Sequence, residues 1–194
     1  MFCSMKNLFY CLIFVGLVVL GACTDKKPQQ PVNISINIDY VDENDTTLYG
    51  KCGDGSSMHV LELVTDKGDT LYVSVNEDSL ETLKGGMTVG DRMAVAFEKD
   101  AEMEGYGSAS IAINLTTLMG KWMALDKTFE LQEGGIVTGD TSEPKPYREW
   151  KIFNGHLVLS TDTFDVYALS ADSLFLEGKQ GIFAYKRVTV AEKK

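Results

Sequence analysis

The chain has 194 residues, with 18 basic and 28 acidic side chains and a formal net charge of −10 at neutral pH. So acidic a surface repels phosphate backbones and anionic head groups, which argues against nucleic acid as a partner. The length behind the first thirty residues suits one large or two small domains, and the pattern of elements favours two.

Residues 1–7 carry one cation, Lys6, and precede residues 8–20, a run without a charge. A membrane-spanning helix requires about 20 apolar residues to cross about 30 Å of hydrocarbon, so this run has the length of a signal-peptide core. It ends in Leu20-Gly21-Ala22-Cys23, an aliphatic residue and two small ones before a cysteine, which resembles the lipobox of bacterial lipoproteins. The alternative is an ordinary secretory signal, or an uncleaved anchor, with an incidental cysteine. The resemblance implies cleavage of residues 1–22 and acylation of Cys23 by diacylglycerol and palmitate. Each buried methylene contributes about 0.8 kcal/mol, so two or three chains hold firmly and the membrane becomes a partner through the lipid anchor. In enteric lipoproteins an aspartate directly after the cysteine signals inner-membrane retention. Thr24 stands there, which implies outer-membrane localisation in a leaflet left open. Residues 23–32 then form a tether, poor in anything that can be buried.

Cleavage removes Lys6 and no acid, leaving 17 basic against 28 acidic groups, net −11. It also removes Cys3 and Cys11. With Cys23 acylated, Cys52 stands alone and has no intrachain disulfide partner.

From Asn33 the sequence "NISINIDY" alternates, with Ile34, Ile36, Ile38 and Tyr40 on one face, the period of a half-buried strand. Further strands are expected at residues 47–52, 58–64 and 70–75, and Asp66-Lys67-Gly68-Asp69 supplies a hairpin turn between the last two. Residues 76–84 break the two-residue rhythm and end at Gly85-Gly86, as a short helix does. A Gly90-Asp91 turn precedes a strand within residues 87–98, and residues 107–115 supply another. Taking three of these four strand candidates, the order of three strands, a helix and two strands is that of an oligonucleotide/oligosaccharide-binding (OB) barrel, and "GGMTVGDRMAVAFE" resembles the fourth-strand region of such barrels.

The second half opens with "LMGKWMALD". Gly120-x-Trp122 at the head of a strand resembles the first-strand signature of lipocalins and of the shorter lipocalin-like domains of bacterial lipoproteins. In those barrels the tryptophan plugs one end and a basic residue of the last strand covers its ring. Lys186 and Arg187 are the candidates here, and Arg187 is chosen because a guanidinium stacks better on indole. The segments between read as a meander, with Asn154-Gly155 the strongest hairpin signal and another turn at residues 170–173. Six or seven short strands are expected, fewer than the eight of a ligand-holding lipocalin, so the calyx is small or filled. The expected fold is thus mainly β, with two small antiparallel β-barrels: residues 33–116 an OB-like five-stranded barrel with one short helix, and residues 117–190 a short lipocalin-like meander barrel.

Catalysis requires converging groups, and the sequence offers no such set. His59 and His156, the only histidines, are placed on strands among aliphatics without a metal ligand at suitable spacing. Met58, His59 and Cys52 are ligands that suit copper, but alternation puts Met58 and His59 on opposite faces. The acidic run "DENDTT" lacks the glycine and terminal glutamate of a calcium loop. Asp100, Glu102 and Glu104 are scattered in a turn. The expectation is therefore no catalytic residue, metal or cofactor. The aromatics Trp150, Phe153, Phe164, Tyr167, Phe175, Phe183 and Tyr185 either fill the second barrel or line a small hydrophobic pocket.

The expected function is that of a non-enzymatic envelope lipoprotein whose lipocalin-like domain binds a small apolar ligand or a protein partner. A second reading is an envelope stress-sensing or interaction lipoprotein without a ligand pocket. The domain pair resembles, in reversed order, an outer-membrane lipoprotein that reports copper and surface-contact stress; the Cys-x-x-Cys pair used there is absent. A third is a glycan or lipid hydrolase, which would need two carboxylates facing each other in a cleft.

Overall fold

The computed structural model describes residues 44–75, 82–140 and 144–189. The expected strand at residues 33–40, the signal peptide, the tether and Cys23 lie outside them. The first alternating stretches form strands β1 (Thr47–Cys52), β2 (Val60–Thr65) and β3 (Thr70–Ser74), paired antiparallel in that order. Leu61 and Leu63 alternate inward on β2, as does Val73 on β3. The β2–β3 turn is closed by the Thr65 amide donating to the Asp69 carbonyl at 2.8 Å.

Two expectations are corrected in this half. Met58 and His59 belong to the turn before β2, not to the strand. The helix expected through Lys84 ends sooner: Thr82 is helical, but Leu83–Lys84 already form a short strand, β4. Residues 76–81 lie outside the described part. The backbone at Leu83 and Lys84 takes up pairing offered by a neighbouring strand, which local helix propensity does not foresee.

β5 (Arg92–Lys99) and β6 (Tyr106–Asn114) complete the barrel. β5 pairs antiparallel with both β1 and β6, and β6 runs parallel to β3 through Tyr72–Tyr106, Val73–Gly107 and Ser74–Ser108. That parallel contact closes five strands into the OB arrangement. β4 lies parallel along the far part of β6. Inside are Cys52, Leu61, Leu63, Val73, Val75, Met93, Val95 and Ala112.

Asn114 ends β6 and caps helix α1 (Leu115–Leu118), its side-chain oxygen accepting from the Thr117 amide at 2.9 Å. The second barrel follows as β7 (Gly120–Met123), β8 (Thr128–Gln132), β9 (Ile136–Gly139), β10 (Trp150–Phe153), β11 (His156–Leu159), β12 (Asp162–Leu169), β13 (Ser173–Gly178) and β14 (Gly181–Arg187). The sheet order is β10-β11-β12-β13-β14-β7-β8-β9. The Val137 amide donating to the Arg148 carbonyl brings the end strands together, so this antiparallel barrel is nearly closed. Eight strands replace the expected six or seven, since β7, β9, β10 and β11 are only four residues each.

The two barrels share a core. Ala94 and Ile113 of the first are buried in the same cluster as Trp122, Ile152, Leu157 and Leu174 of the second. Tyr49 of β1 donates its hydroxyl to the Ile152 carbonyl at 2.9 Å. Asn154, in the left-handed region at φ 47°, turns the β10–β11 hairpin and clasps the chain ahead of β1. Its Oδ1 accepts from the Thr46 amide at 2.8 Å, and its Nδ2 donates to the Asn44 carbonyl at 2.9 Å. Gly155 meets the first barrel so closely that a Cβ would lie 2.1 Å from Ile111 Cγ2. Buried Lys84 donates to the Tyr167 carbonyl at 2.9 Å, beside the bulge between Val166 and Ala168. A buried ammonium is tolerated only with such partners. Among the described residues no helix is long and apolar enough to cross a membrane.

Candidate functional site

Trp122 stands on β7 of the second barrel. Its side chain is fully buried, and its Nε1 donates to the Leu118 carbonyl, at the end of α1, at 2.8 Å. Arg187, paired with Trp122 across β14 and β7, lays its guanidinium 4.1 Å from the indole centre. The same guanidinium donates to the carbonyls of Met119 at 2.7 Å, Thr117 and Ala171. Burial lowers the Arg187 pKa from its ordinary value, and the three carbonyls offset the lost water. Gly120 is required here: its φ is +122°, and a Cβ would lie 2.4 Å from Arg187 Nη1. Gly120, Trp122 and Arg187 are thus one interlocked structural element.

The seven aromatics named as a candidate pocket do not converge. Strand alternation turns Trp150, Phe164, Phe183 and Tyr185 toward the barrel interior, where three are buried and Phe183 packs against the core. Phe153, Tyr167 and Phe175 occupy the alternate, outward positions of β10, β12 and β13. Tyr167 is well exposed, and Phe153 receives the Lys151 ammonium over its ring at 5.1 Å. Inside, rings interlock edge to face in a continuous run. Tyr185 meets Phe129 at 5.0 Å, Phe129 meets Tyr147 at 5.7 Å, Tyr147 meets Phe164 at 6.4 Å, and Phe164 meets Phe183 at 6.0 Å. Such pairs add about 0.5–1.5 kcal/mol each beyond their buried area. Two members escape sequence reasoning. Phe129 lies on β8, and its alternation with Leu131 is its only signal. Tyr147 comes from the β9–β10 connection, folds onto the core and carries the Lys127 ammonium 3.8 Å from its ring centre.

The first barrel carries a cleft of about 420 Å³ at its mouth, between the β2–β3 turn and the β5–β6 loop. Leu71 and Phe97 contribute its apolar surface, Tyr106 an aromatic one, and Asp69, Thr70, Lys99 and Glu104 polar groups. Its frame is fixed from both sides. Asp100 Oδ1 accepts from the amides of Glu102 at 2.7 Å and Met103 at 3.1 Å, which holds the β5–β6 loop. Asp66 grips Arg92 with both oxygens at 2.5 Å. Tyr106 stacks on Tyr72 at 5.1 Å, and Tyr72 donates to Glu62 at 3.3 Å. By contrast, the side chains of Asp69, Lys99 and Glu104 have no hydrogen-bond or ion-pair partner among the described residues.

Cys52 is buried, with its Sγ 3.3 Å from Ser56 Oγ. His156 pairs at the surface with Asp165 through Nδ1. In the "DENDTT" run, Asp45 accepts from the amides of Thr47 at 3.0 Å and Asn154 at 3.2 Å, so it serves the inter-barrel clasp. Asp42 and Glu43 lie outside the described residues. Among the described residues no three His, Cys, Asp or Glu side chains gather as a metal site. Compared with protein-family profiles, curated proteins and solved structures, the chain matches none.

Proposed function

We propose that the protein is an envelope lipoprotein, anchored through Cys23 in the outer membrane, that acts as a non-enzymatic interaction or sensing module with a filled second barrel. The lipobox-like Leu20-Gly21-Ala22-Cys23 supports the anchor, and the observation that carries the filled-barrel reading is the run of five interlocked rings from Tyr185 to Phe183. A barrel built to hold a small apolar ligand keeps its interior open, whereas here side chains occupy it. The exposed Tyr167, with half-buried Phe153 and Phe175, leaves aromatic surface to a protein partner, of the kind interfaces favour. The hydrolase reading is disfavoured on physical grounds. The two carboxylates that share the cleft, Asp69 and Glu104, are both solvent-exposed, and a general acid requires one carboxyl in an apolar setting.

Two measurements test the reading. Metabolic labelling with palmitate should mark the wild-type chain and not Cys23→Ala; an unlabelled wild-type chain overturns the address. Native mass spectrometry of the protein purified from its own envelope should show no retained apolar molecule. A bound apolar molecule, lost on Tyr147→Trp substitution, would instead establish the ligand-holding reading of the second barrel.

A further inference from the structure

We infer that the cleft at the mouth of the first barrel binds a small cationic ligand, an ammonium or guanidinium group carried on an apolar stem. The inference does not depend on the lipid anchor or on the filled second barrel. The first observation is the contrast in how polar groups are used around the cleft. Asp66, Asp100, Glu62 and the Tyr72 hydroxyl are committed to holding the frame. Asp69 of the β2–β3 turn and Glu104 of the β5–β6 loop, both lining the cleft, are not committed to any side-chain contact among the described residues. A fixed frame around free carboxylates costs little reorganisation when a ligand arrives.

The second observation is composition. Leu71, Phe97 and Tyr106 supply an apolar and aromatic surface for a stem, and a π face attracts a cation as well. About 420 Å³ suits a ligand of one side chain or a small molecule. Two carboxylates against one ammonium, Lys99, leave the cleft net negative, and the chain's net charge of −10 adds a field of the same sign. An anionic ligand would have only Lys99 to meet it. Lys99 itself competes with a bound cation, which gives the inference a sign that a generic sticky cleft would not share.

The test is an amide NMR titration of the full-length protein in detergent micelles, with N-acetyl-L-arginine amide as the probe and its uncharged isostere, N-acetyl-L-citrulline amide, as the control. Saturable shifts are expected at Asp69, Thr70, Leu71, Phe97, Lys99, Gly105 and Tyr106. Exposed charges are screened, so the dissociation constant should be about 0.1–5 mM, with the citrulline compound at least about fivefold weaker. Asp69→Asn with Glu104→Gln should weaken the arginine probe about five- to tenfold, whereas Lys99→Met should strengthen it about two- to threefold. All three side chains are exposed, so these variants fold as the wild type does. Equal binding of the two probes, weaker binding by Lys99→Met, or shifts that spread over the surface without saturating would each overturn the inference.

Discussion

Replacing Trp122 by alanine tests whether this residue seals the second barrel and whether the barrel depends on it. The indole is fully buried, donates to the Leu118 carbonyl at 2.8 Å and lies under the Arg187 guanidinium at 4.1 Å. Truncating a buried tryptophan costs about 3–5 kcal/mol in transfer and cavity terms, which already overlap the lost ring contacts. The orphaned Leu118 carbonyl adds about 1 kcal/mol. The expected destabilisation is therefore near the top of the range, about 4–5 kcal/mol. For a chain of this size that corresponds to a fall of about 10–20 °C in Tm. Urea unfolding followed by far-UV circular dichroism reads the change directly. Trp122→Phe keeps most of the ring and loses the N–H donor, so about 1–2 kcal/mol is expected. A double-mutant cycle with Arg187→Ala should show coupling of about 1–2 kcal/mol, from the cation over the ring. A Trp122→Ala loss below about 1 kcal/mol would refute the assignment of this residue as the seal. Zero coupling would refute the role given to Arg187.

Further outcomes follow from single contacts. Gly120→Ala puts a Cβ 2.4 Å from Arg187 Nη1 at a φ of +122°, so urea unfolding should show a loss of about 2–3 kcal/mol, partly relieved in an Arg187→Ala background. Asn154→Gly keeps the left-handed turn but removes the clasp on Asn44 and Thr46, and about 1–2 kcal/mol should be lost in the same assay. Burial, with a smaller contribution from the Asp45 charge, pushes the Tyr49 pKa up to about 12. Its folded value thus lies above its unfolded value of about 10, so the stabilisation is complete below pH 10 and is lost as pH rises from 10 to 12. Stability measured across that window should fall less steeply in Tyr49→Phe, by about 2–3 kcal/mol in total. Equal slopes would contradict the burial of this hydroxyl.

The strands and turns were legible because their causes are local. The two-residue alternation at Thr47–Cys52 and Thr70–Ser74 places Leu48, Cys52, Leu71 and Val73 on one face without reference to any partner. Asn154-Gly155 turns the β10–β11 hairpin because those two residues tolerate positive φ, and both adopt it. The pairing of Gly120-x-Trp122 with a late arginine was an expectation of the resemblance to lipocalin first strands, and Arg187 lies over the indole. The pocket aromatics were harder. Their identity was plain, but treating them as a set ignored the alternation that sends Phe153 and Phe175 to the opposite face from Trp150 and Phe164.

What the amino-acid sequence determined by itself is the class of the molecule: short alternating strands punctuated by glycine, asparagine and aspartate, arranged in the order of two small barrels. Those signals act over two to four residues, so they survive without tertiary context. Only the folded chain decided the parallel closure of β3 on β6, the conversion of Leu83–Lys84 from helix to strand, and the entry of Tyr147 from a loop into the aromatic interior. It also decided that Asp69 and Glu104, from two separate turns, would face one cleft. Each of these joins residues far apart in the chain, and a contact of that kind is set by which surfaces remain to be buried once the strands have paired, not by the propensity of any one segment.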